Sequence, residues 1–288
     1  LGCYKNTPNE TKERKMKKIL LAGLSTGLII GIAASSAHAT SLVNGLGGTS
    51  GFGENSLARN DDGSTSAINI TSVFASGLNF FGTTYNTLFV NNNGNITLNS
   101  ALNTYTPSAI TGVTSNPIIA AFFADVDTRG AAVTASAGGN STGSNLLWYD
   151  LDALNKTFTA TWDDVGFYSY HTSPVNAFQI ILKDRSDVAA GDFDITFIYE
   201  DMGWTVGDVS GTTYARAGWS SGNGSDYYEM PQSGNVAALT NLENDPGTIT
   251  WQVRNGTVVP SVPEPCTLLL FGTGMAGLAA VGRRKAKK

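Results

Sequence analysis

The chain has 288 residues, of which only 14% are charged, with 33 Gly and a formal charge of −5. Such a composition favours a turn-rich extracytoplasmic β-protein over a helical cytosolic enzyme, as one large β domain or two small ones. Between Thr40 and Pro263, seven Lys and Arg face twenty Asp and Glu, a charge of −13 that repels phosphate backbones and excludes nucleic acid as an expected partner. The two cysteines, Cys3 and Cys266, lie outside that part, which therefore has no internal disulfide, thiolate nucleophile or zinc–thiolate cluster.

Residues 1–15 are polar and patternless, and are expected to be upstream read-through. From Met16 the chain reads as a secretory signal over 16–39: Lys17-Lys18, an apolar run from Ile19 to Ala34, then the small-x-small site Ala37-His38-Ala39 before Thr40. A retained membrane anchor is the alternative, and the Ala37 and Ala39 pair favours cleavage.

A β domain is expected over 40–254. Ser41–Gly53 is Gly-rich and irregular. Ile68–Phe74 alternates roughly and predicts a strand, followed by a second apolar piece at Leu78–Phe81. Leu88–Val90, Asn91-Asn-Asn-Gly94 and Asn95–Leu98 give the clearest hairpin, because Asn and Gly tolerate the positive φ of tight turns. Ile118–Ala124 is wholly apolar between Pro117 and Gly130, the pattern of a strand buried on both faces. Residues 130–144, mostly Ala, Gly, Ser and Thr, predict a flexible exposed loop. Short β-type runs follow at Leu146–Tyr149, Thr157–Trp162, Ala177–Leu182, Phe193–Tyr199, Ala215–Trp219 and Thr248–Val253. With no long amphipathic helix and no internal repeat, the expected fold class is all-β, an antiparallel β-sandwich-like single domain.

A linker is expected over 255–261, and a sorting segment over 262–288. Cys266–Gly282 is uncharged and reaches the lower limit of about 17 residues for a membrane-spanning helix. The basic residues after it should stay cytoplasmic, leaving the β domain outside.

The chemistry-bearing motifs are few. Gly218-Trp-Ser-Ser-Gly222 matches a nucleophile elbow, but no His follows Ser220 to act as base, so no catalytic residue is assigned. Gly272-Thr-Gly-Met-Ala-Gly277 lies in the tail with no βαβ unit after it, and small residues there suit close helix approach instead. Asp125-Val-Asp127-Thr-Arg129-Gly130 begins like an EF-hand loop, yet Arg129 replaces a ligand and Ser136 stands where the bidentate Glu belongs. Asp125, Asp127 and Arg129 alternate, so on an extended backbone they share one face. A structural Asp127–Arg129 pair is the favoured arrangement, with a non-EF calcium site using Asp125 or Asp127 as the alternative. Asp163-Asp164 and Asp192/Asp194 are further acids, read as solvated turn residues. A pair of acids could instead cleave glycosides, a matter decided by their separation. The five tryptophans, Trp148, Trp162, Trp204, Trp219 and Trp251, are expected mostly in core or rim rather than stacked on sugars.

Two resemblances add to this reading. Pro263-Glu264-Pro265, the apolar helix and the terminal Arg-Arg-Lys cluster resemble the PEP-CTERM sorting signal of Gram-negative bacteria. That resemblance implies an exosortase as processing partner, transient inner-membrane anchoring through the tail, and final location at the cell surface or in the matrix of biofilm-forming, exopolysaccharide-producing cells. Phe80-Phe-Gly with Tyr85, Leu88–Thr97, Ala121–Arg129, Ala177–Leu182, Asp192–Glu200 and Ala217-Gly-Trp219 resemble the nidogen-like extracellular domain, spanning about residues 70–254. It implies an extracellular matrix-type or adhesion module without catalytic residues, with an extracellular polysaccharide or a matrix or surface protein as ligand. The expectation is thus an exported, non-enzymatic surface or matrix binding protein; the alternative is a carbohydrate-active enzyme with paired aspartates.

Overall fold

The computed structural model describes residues 40–260 except 113, 115 and 208–212. The expected signal segment with Ala37 and Ala39, the sorting residues Pro263, Glu264 and Pro265, and the membrane-spanning segment expected over 266–282 lie outside those residues.

The described chain is almost entirely antiparallel β-structure. A seven-stranded sheet is ordered β1 (Asn55–Leu57), β8 (Leu146–Asp152), β9 (Thr157–Phe167), β10 (His171–Asp184), β11 (Phe193–Met202), β14 (Thr248–Arg254), β15 (Thr257–Pro260). A six-stranded sheet is ordered β13 (Tyr227–Glu229), β12 (Arg216–Ser220), β7 (Ile118–Phe123), β6 (Asn95–Thr97), β5 (Thr87–Asn91), β2 (Ile68–Asn69). β3 (Leu78–Phe80) and β4 (Thr83–Tyr85) form a separate hairpin, and the one described helix, α1, is the single turn Val236–Leu239. No described helix is long and apolar enough to cross a membrane.

The two large sheets pack face to face. Phe122 of β7 meets Phe178 of β10 at 5.6 Å between ring centroids, and Trp162 of β9 stacks on Phe178 at 4.9 Å. Tyr199 of β11 donates its hydroxyl to the Ala121 carbonyl across the interface at 2.8 Å. β7 is buried along its whole length, which explains its uninterrupted apolar sequence. Ile119, Ala121 and Phe122 enter the inter-sheet core, whereas Ile118, Ala120 and Phe123 pack outward under Leu102 and Ile110. The shift of facing happens at a register irregularity against β12, between Arg216 and Gly218. A smaller cluster of Leu42, Phe52, Trp148, Ala177 and Ile198 joins the N-terminal segment to the seven-stranded sheet.

Four expectations change. The strand expected over Ile68–Phe74 stops at Asn69, and the Ile70 carbonyl accepts from the N–H groups of Val73 and Phe74. Ile70, Val73 and Phe74 are all buried, a helical i, i+3, i+4 spacing that an alternating reading overlooks. Second, residues 257–260 are not linker but β15, which pairs with β14 through a turn at Asn255 (φ 50°) and Gly256 (φ 79°). Two successive positive φ values are the hallmark of a tight hairpin.

Third, the 130–144 segment is exposed in part but not loose, because buried carboxylates grip its backbone. Asp163 accepts from Thr142 N (2.7 Å) and Ser144 N (3.2 Å), Asp164 from Gly143 N (2.8 Å) and the Ser136 hydroxyl (2.6 Å). Glu200 accepts from Asn140 N and Ser141 N, each at 2.7 Å. Fourth, Asp163, Asp164 and Asp192 are therefore buried hydrogen-bond acceptors rather than solvated turn acids. Asp192 takes the Asn255 N–H at 2.7 Å, and Asp194 bridges Arg185 (3.0 Å) and Arg254 (2.6 Å).

Candidate functional site

Three segments far apart in sequence converge at the end of β7. The first is the turn Arg59–Gly63, which Asn60 closes by accepting the Gly63 N–H at 2.6 Å. Asn60 also exchanges backbone and hydroxyl hydrogen bonds with Thr128, and Asp61 bridges Asp127 as an isolated antiparallel pair. The Arg59 guanidinium gathers the carbonyls of Thr128 (2.9 Å), Asn145 (3.1 Å), Ser144 (2.9 Å) and Gly130, fastening the turn in place. The second segment is the β5–β6 turn Asn91–Gly94. Its Asn92 carbonyl accepts from Trp162 Nε1 at 2.8 Å, and Asn93 Oδ1 accepts from Val126 N at 2.9 Å. The third is Asp125–Arg129, which leaves the apolar β7 and runs beside the β9–β10 hairpin tip.

Arg129 and Asp127 form a two-pronged pair: Nε donates to Oδ1 at 2.9 Å and Nη2 to Oδ2 at 2.6 Å. Asp127 also accepts the N–H groups of Arg129 and Tyr170, each at 2.9 Å. Burial works to raise the Asp127 pKa, but the hydrogen bonds from Arg129 and Tyr170 outweigh it and hold the carboxyl below its usual range. The guanidinium reaches on to Asp61 Oδ2 at 2.7 Å and lies 4.3 Å over the Tyr170 ring.

Asp125 is in the opposite situation. Its side chain is buried, and neither oxygen has a hydrogen-bond partner. Burial first, and then the charges of Asp62, Asp61 and Asp127, push its pKa up to about 8. Burial with the charges of Asp127 and Asp62 likewise pushes Asp61 up to about 6. One carboxylate oxygen from each of Asp61, Asp62 and Asp125 lies within 4.8 Å of the others. Of the sequence candidates, Asp125 is thus in an acidic cluster and Asp127 is occupied by Arg129. Asp61 and Asp62 carry no local signal beyond an Asn-Asp-Asp-Gly turn, since their partner lies more than sixty residues away.

The other carbohydrate-directed candidates are dispersed. All five tryptophans are buried, none more than 8% exposed. Asp163, Asp164, Asp192 and Asp194 already accept backbone N–H groups or pair with arginines. Among the described residues the exposed large aromatics are Tyr105, Tyr168, Tyr170 and Tyr227; Tyr168 and Tyr170 stand at the β9–β10 tip beside the acidic cluster. A separate apolar cavity of about 120 Å³ lies under the 102–116 loop, lined by Leu102, Ile110, Ile118 and Phe123 among others.

Comparison with known proteins agrees with this architecture. Residues 86–255 match the model of the nidogen-like domain, and residues 261–285 match that of the PEP-CTERM protein-sorting motif. Alpha-tectorin of Mus musculus is 30% identical over 229 residues, covering 70% of this chain, and alpha-tectorin of Homo sapiens gives the same figures. Nidogen of Drosophila melanogaster is 27% identical over 180 residues, or 56% of this chain. The chain spans only about a tenth of the length of these relatives: 10% of the alpha-tectorins and 13% of the nidogen. No solved structure matches significantly. The sorting motif implies exosortase processing, and with the nidogen-like domain it supports an exported, extracellular protein. The chain belongs to the nidogen-like domain family, with a PEP-CTERM sorting motif following the β domain.

Proposed function

We propose that the chain is a non-enzymatic binding protein of a Gram-negative bacterium. It acts at the cell surface or in the extracellular matrix, in adhesion or in retention of a biofilm exopolysaccharide. The observation that carries this reading is the order of its two parts, a nidogen-like domain over 86–255 directly followed by a PEP-CTERM motif over 261–285. The tail holds the protein transiently in the inner membrane until exosortase removes it, and the signal segment is cleaved before Thr40. The binding surface takes its aromatic character from exposed tyrosines rather than tryptophans. An aromatic ring with a polar tip suits a partly hydrated sugar or peptide face.

The test has two readouts. Mass spectrometry of the surface form should find a chain that begins near Thr40 and lacks the basic tail. The purified protein should co-sediment with the exopolysaccharide or matrix of its own host, and deletion of its gene should weaken surface attachment. An intact tail on the surface form would contradict the sorting route. Release of reducing ends from that polysaccharide would replace the binding reading with a carbohydrate-active enzyme.

A further inference from the structure

We propose that Asp61, Asp62 and Asp125 bind a single divalent cation of the calcium class. The site lies where the Arg59–Gly63 turn, the Asn91–Gly94 turn and the end of β7 meet.

Asp125 is the decisive residue. Eight carboxylates are buried among the described residues: Asp125, Asp127, Asp150, Asp163, Asp164, Asp184, Asp192 and Glu200. Among them Asp125 alone has both oxygens fully buried and without a hydrogen bond, at a residue exposure of 2%. A third bare and buried oxygen, Asp61 Oδ1, belongs to the same cluster. Buried carboxylates are stable when paired, hydrogen-bonded or bound to a metal. Most of the others accept backbone N–H groups, as Asp127, Asp163, Asp164, Asp192 and Glu200 do; here the fold supplies more acids.

The nearest cation does not fill the gap. The Arg129 side chain bonds to Asp127 and to Asp61 Oδ2, and rests on Tyr170. Asp61, Asp62, Asp125 and Asp127 thus set four carboxylates against one guanidinium. Arg129 neutralises Asp127 and steadies Asp61, leaving the inner oxygens facing one another. Asn93 Nδ2 similarly donates to Asp62 Oδ1 at 2.8 Å, so two of the acids are each held by a neighbour. Gly207 packs on the third: a Cβ there would stand 2.2 Å from Asp125 Cβ.

The dimensions accommodate calcium: oxygens no more than 4.8 Å apart can share an ion whose bonds to oxygen are about 2.3–2.6 Å. Calcium accepts six to eight oxygens and takes carboxylates in one- or two-oxygen fashion, which suits the two bare oxygens of Asp125. The adjacent turn carries one more buried acceptor without a partner, the amide oxygen Asn92 Oδ1. Magnesium demands a near-ideal octahedron and gives up water reluctantly, a poor match to a buried, partly irregular set of side chains.

The full chain, stripped with chelator, is titrated with calcium and then with magnesium by calorimetry and by thermal melting. Wild type, Asp125→Asn, Asp62→Asn and Asp127→Asn are compared. The expected result is one calcium per chain and a melting temperature raised by about 5–10 °C when calcium is 100 times its Kd. Asp125→Asn should bind at least tenfold more weakly. Without calcium it should melt no lower than wild type, since it removes a bare buried acid. Asp127→Asn should lower the melting temperature with and without calcium while keeping the calcium increment. If Asp125→Asn fails to fold, Asp62→Asn decides. A wild type that binds no calcium at millimolar concentration overturns the proposal. So does full calcium affinity in both Asp125→Asn and Asp62→Asn, or in Asp62→Asn alone where Asp125→Asn does not fold. Equal affinity for magnesium overturns the choice of ion.

Discussion

Glu200→Gln tests how the outer coverings of the seven-stranded sheet are held. Glu200 lies in β11 where the register against β10 shifts, and it is 5% exposed. Its Oε2 accepts from Leu42 N and Asn140 N, and Oε1 from Ser141 N, all at 2.7 Å. One carboxylate therefore ties both the N-terminal segment and the 130–144 loop to the sheet. Gly139 allows this approach, because a Cβ there would sit 2.0 Å from Glu200 Cδ. The substitution to Gln preserves shape but turns one acceptor into a donor. Whichever way the amide lies, its NH₂ faces at least one backbone N–H, and the remaining bonds lose their charge. An unsatisfied buried donor costs about 1–3 kcal/mol, and the surviving bonds drop from charged to neutral strength, about 1 kcal/mol each. Detachment of the N-terminal segment and the 130–144 loop limits the total, so we expect a loss of about 3 kcal/mol. Urea unfolding followed by tryptophan fluorescence measures it, and hydrogen exchange at Leu42, Asn140 and Ser141 locates it. A change under about 0.5 kcal/mol, with those three amides as protected as in wild type, would refute the reasoning.

Two further substitutions probe other parts of the fold. Gly94→Ala puts a Cβ 1.8 Å from the Phe122 carbonyl oxygen at a residue with φ 78°, and backbone cannot swing aside as a side chain can; the expected loss exceeds about 2 kcal/mol in denaturant, and a variant as stable as wild type would disprove this close approach of turn and strand. Asp150 has its pKa pushed up to about 6 by burial and then by the charges of Glu54 and Asp152. A raised carboxyl pKa means that the group's stabilising contribution is present below about pH 4 and lost as pH rises through 6. Asp150→Asn should therefore gain about 1–2 kcal/mol relative to wild type between pH 4 and 7, after discounting for screening, and parallel pH–stability curves would sink the assignment.

The parts of the fold that could be read from sequence are those in which neighbours along the chain act on one another. The Asn91–Gly94 turn is local chemistry, and Gly94 has the positive φ its position demands. β7 is a composition signal, because a strand covered on both faces cannot alternate. The placing of Asp127 beside Arg129 is a matter of period two. What resisted reading is non-local. β9 and β10 extend to Phe167 and from His171, beyond the apolar runs, because acids such as Asp163 and Asp164 point into the 130–144 loop rather than into water. The acidic cluster needs Asp61 and Asp62 brought to Asp125 by Arg59 and Asn60, and no spacing rule links them. β15 had a local cue in Asn255-Gly256, but the apolar run after it is short and ends in proline.

The placement of the acids also changes what the charge of −13 means. Of the twenty acidic residues between Thr40 and Pro263, nineteen are among the described residues and eight of those are buried. Most of these accept backbone N–H groups from distant segments: Glu200 reaches 158 residues back to Leu42, Asp163 reaches 21 to Thr142, and Asp192 reaches 63 forward to Asn255. Each such link fixes a loop to the sandwich in a region that has no cysteine for a disulfide and only seven basic side chains for ion pairs. A carboxylate accepting charged hydrogen bonds from backbone amides does the work of a cross-link without needing a basic partner. Composition alone therefore overstates the negative surface, since part of the charge lies inside and is answered by amide dipoles. By the same logic Asp125 is anomalous. Its two buried oxygens have no hydrogen-bond partner and it clusters with the carboxylates of Asp61 and Asp62, and a hard cation is the partner that could complete the pattern.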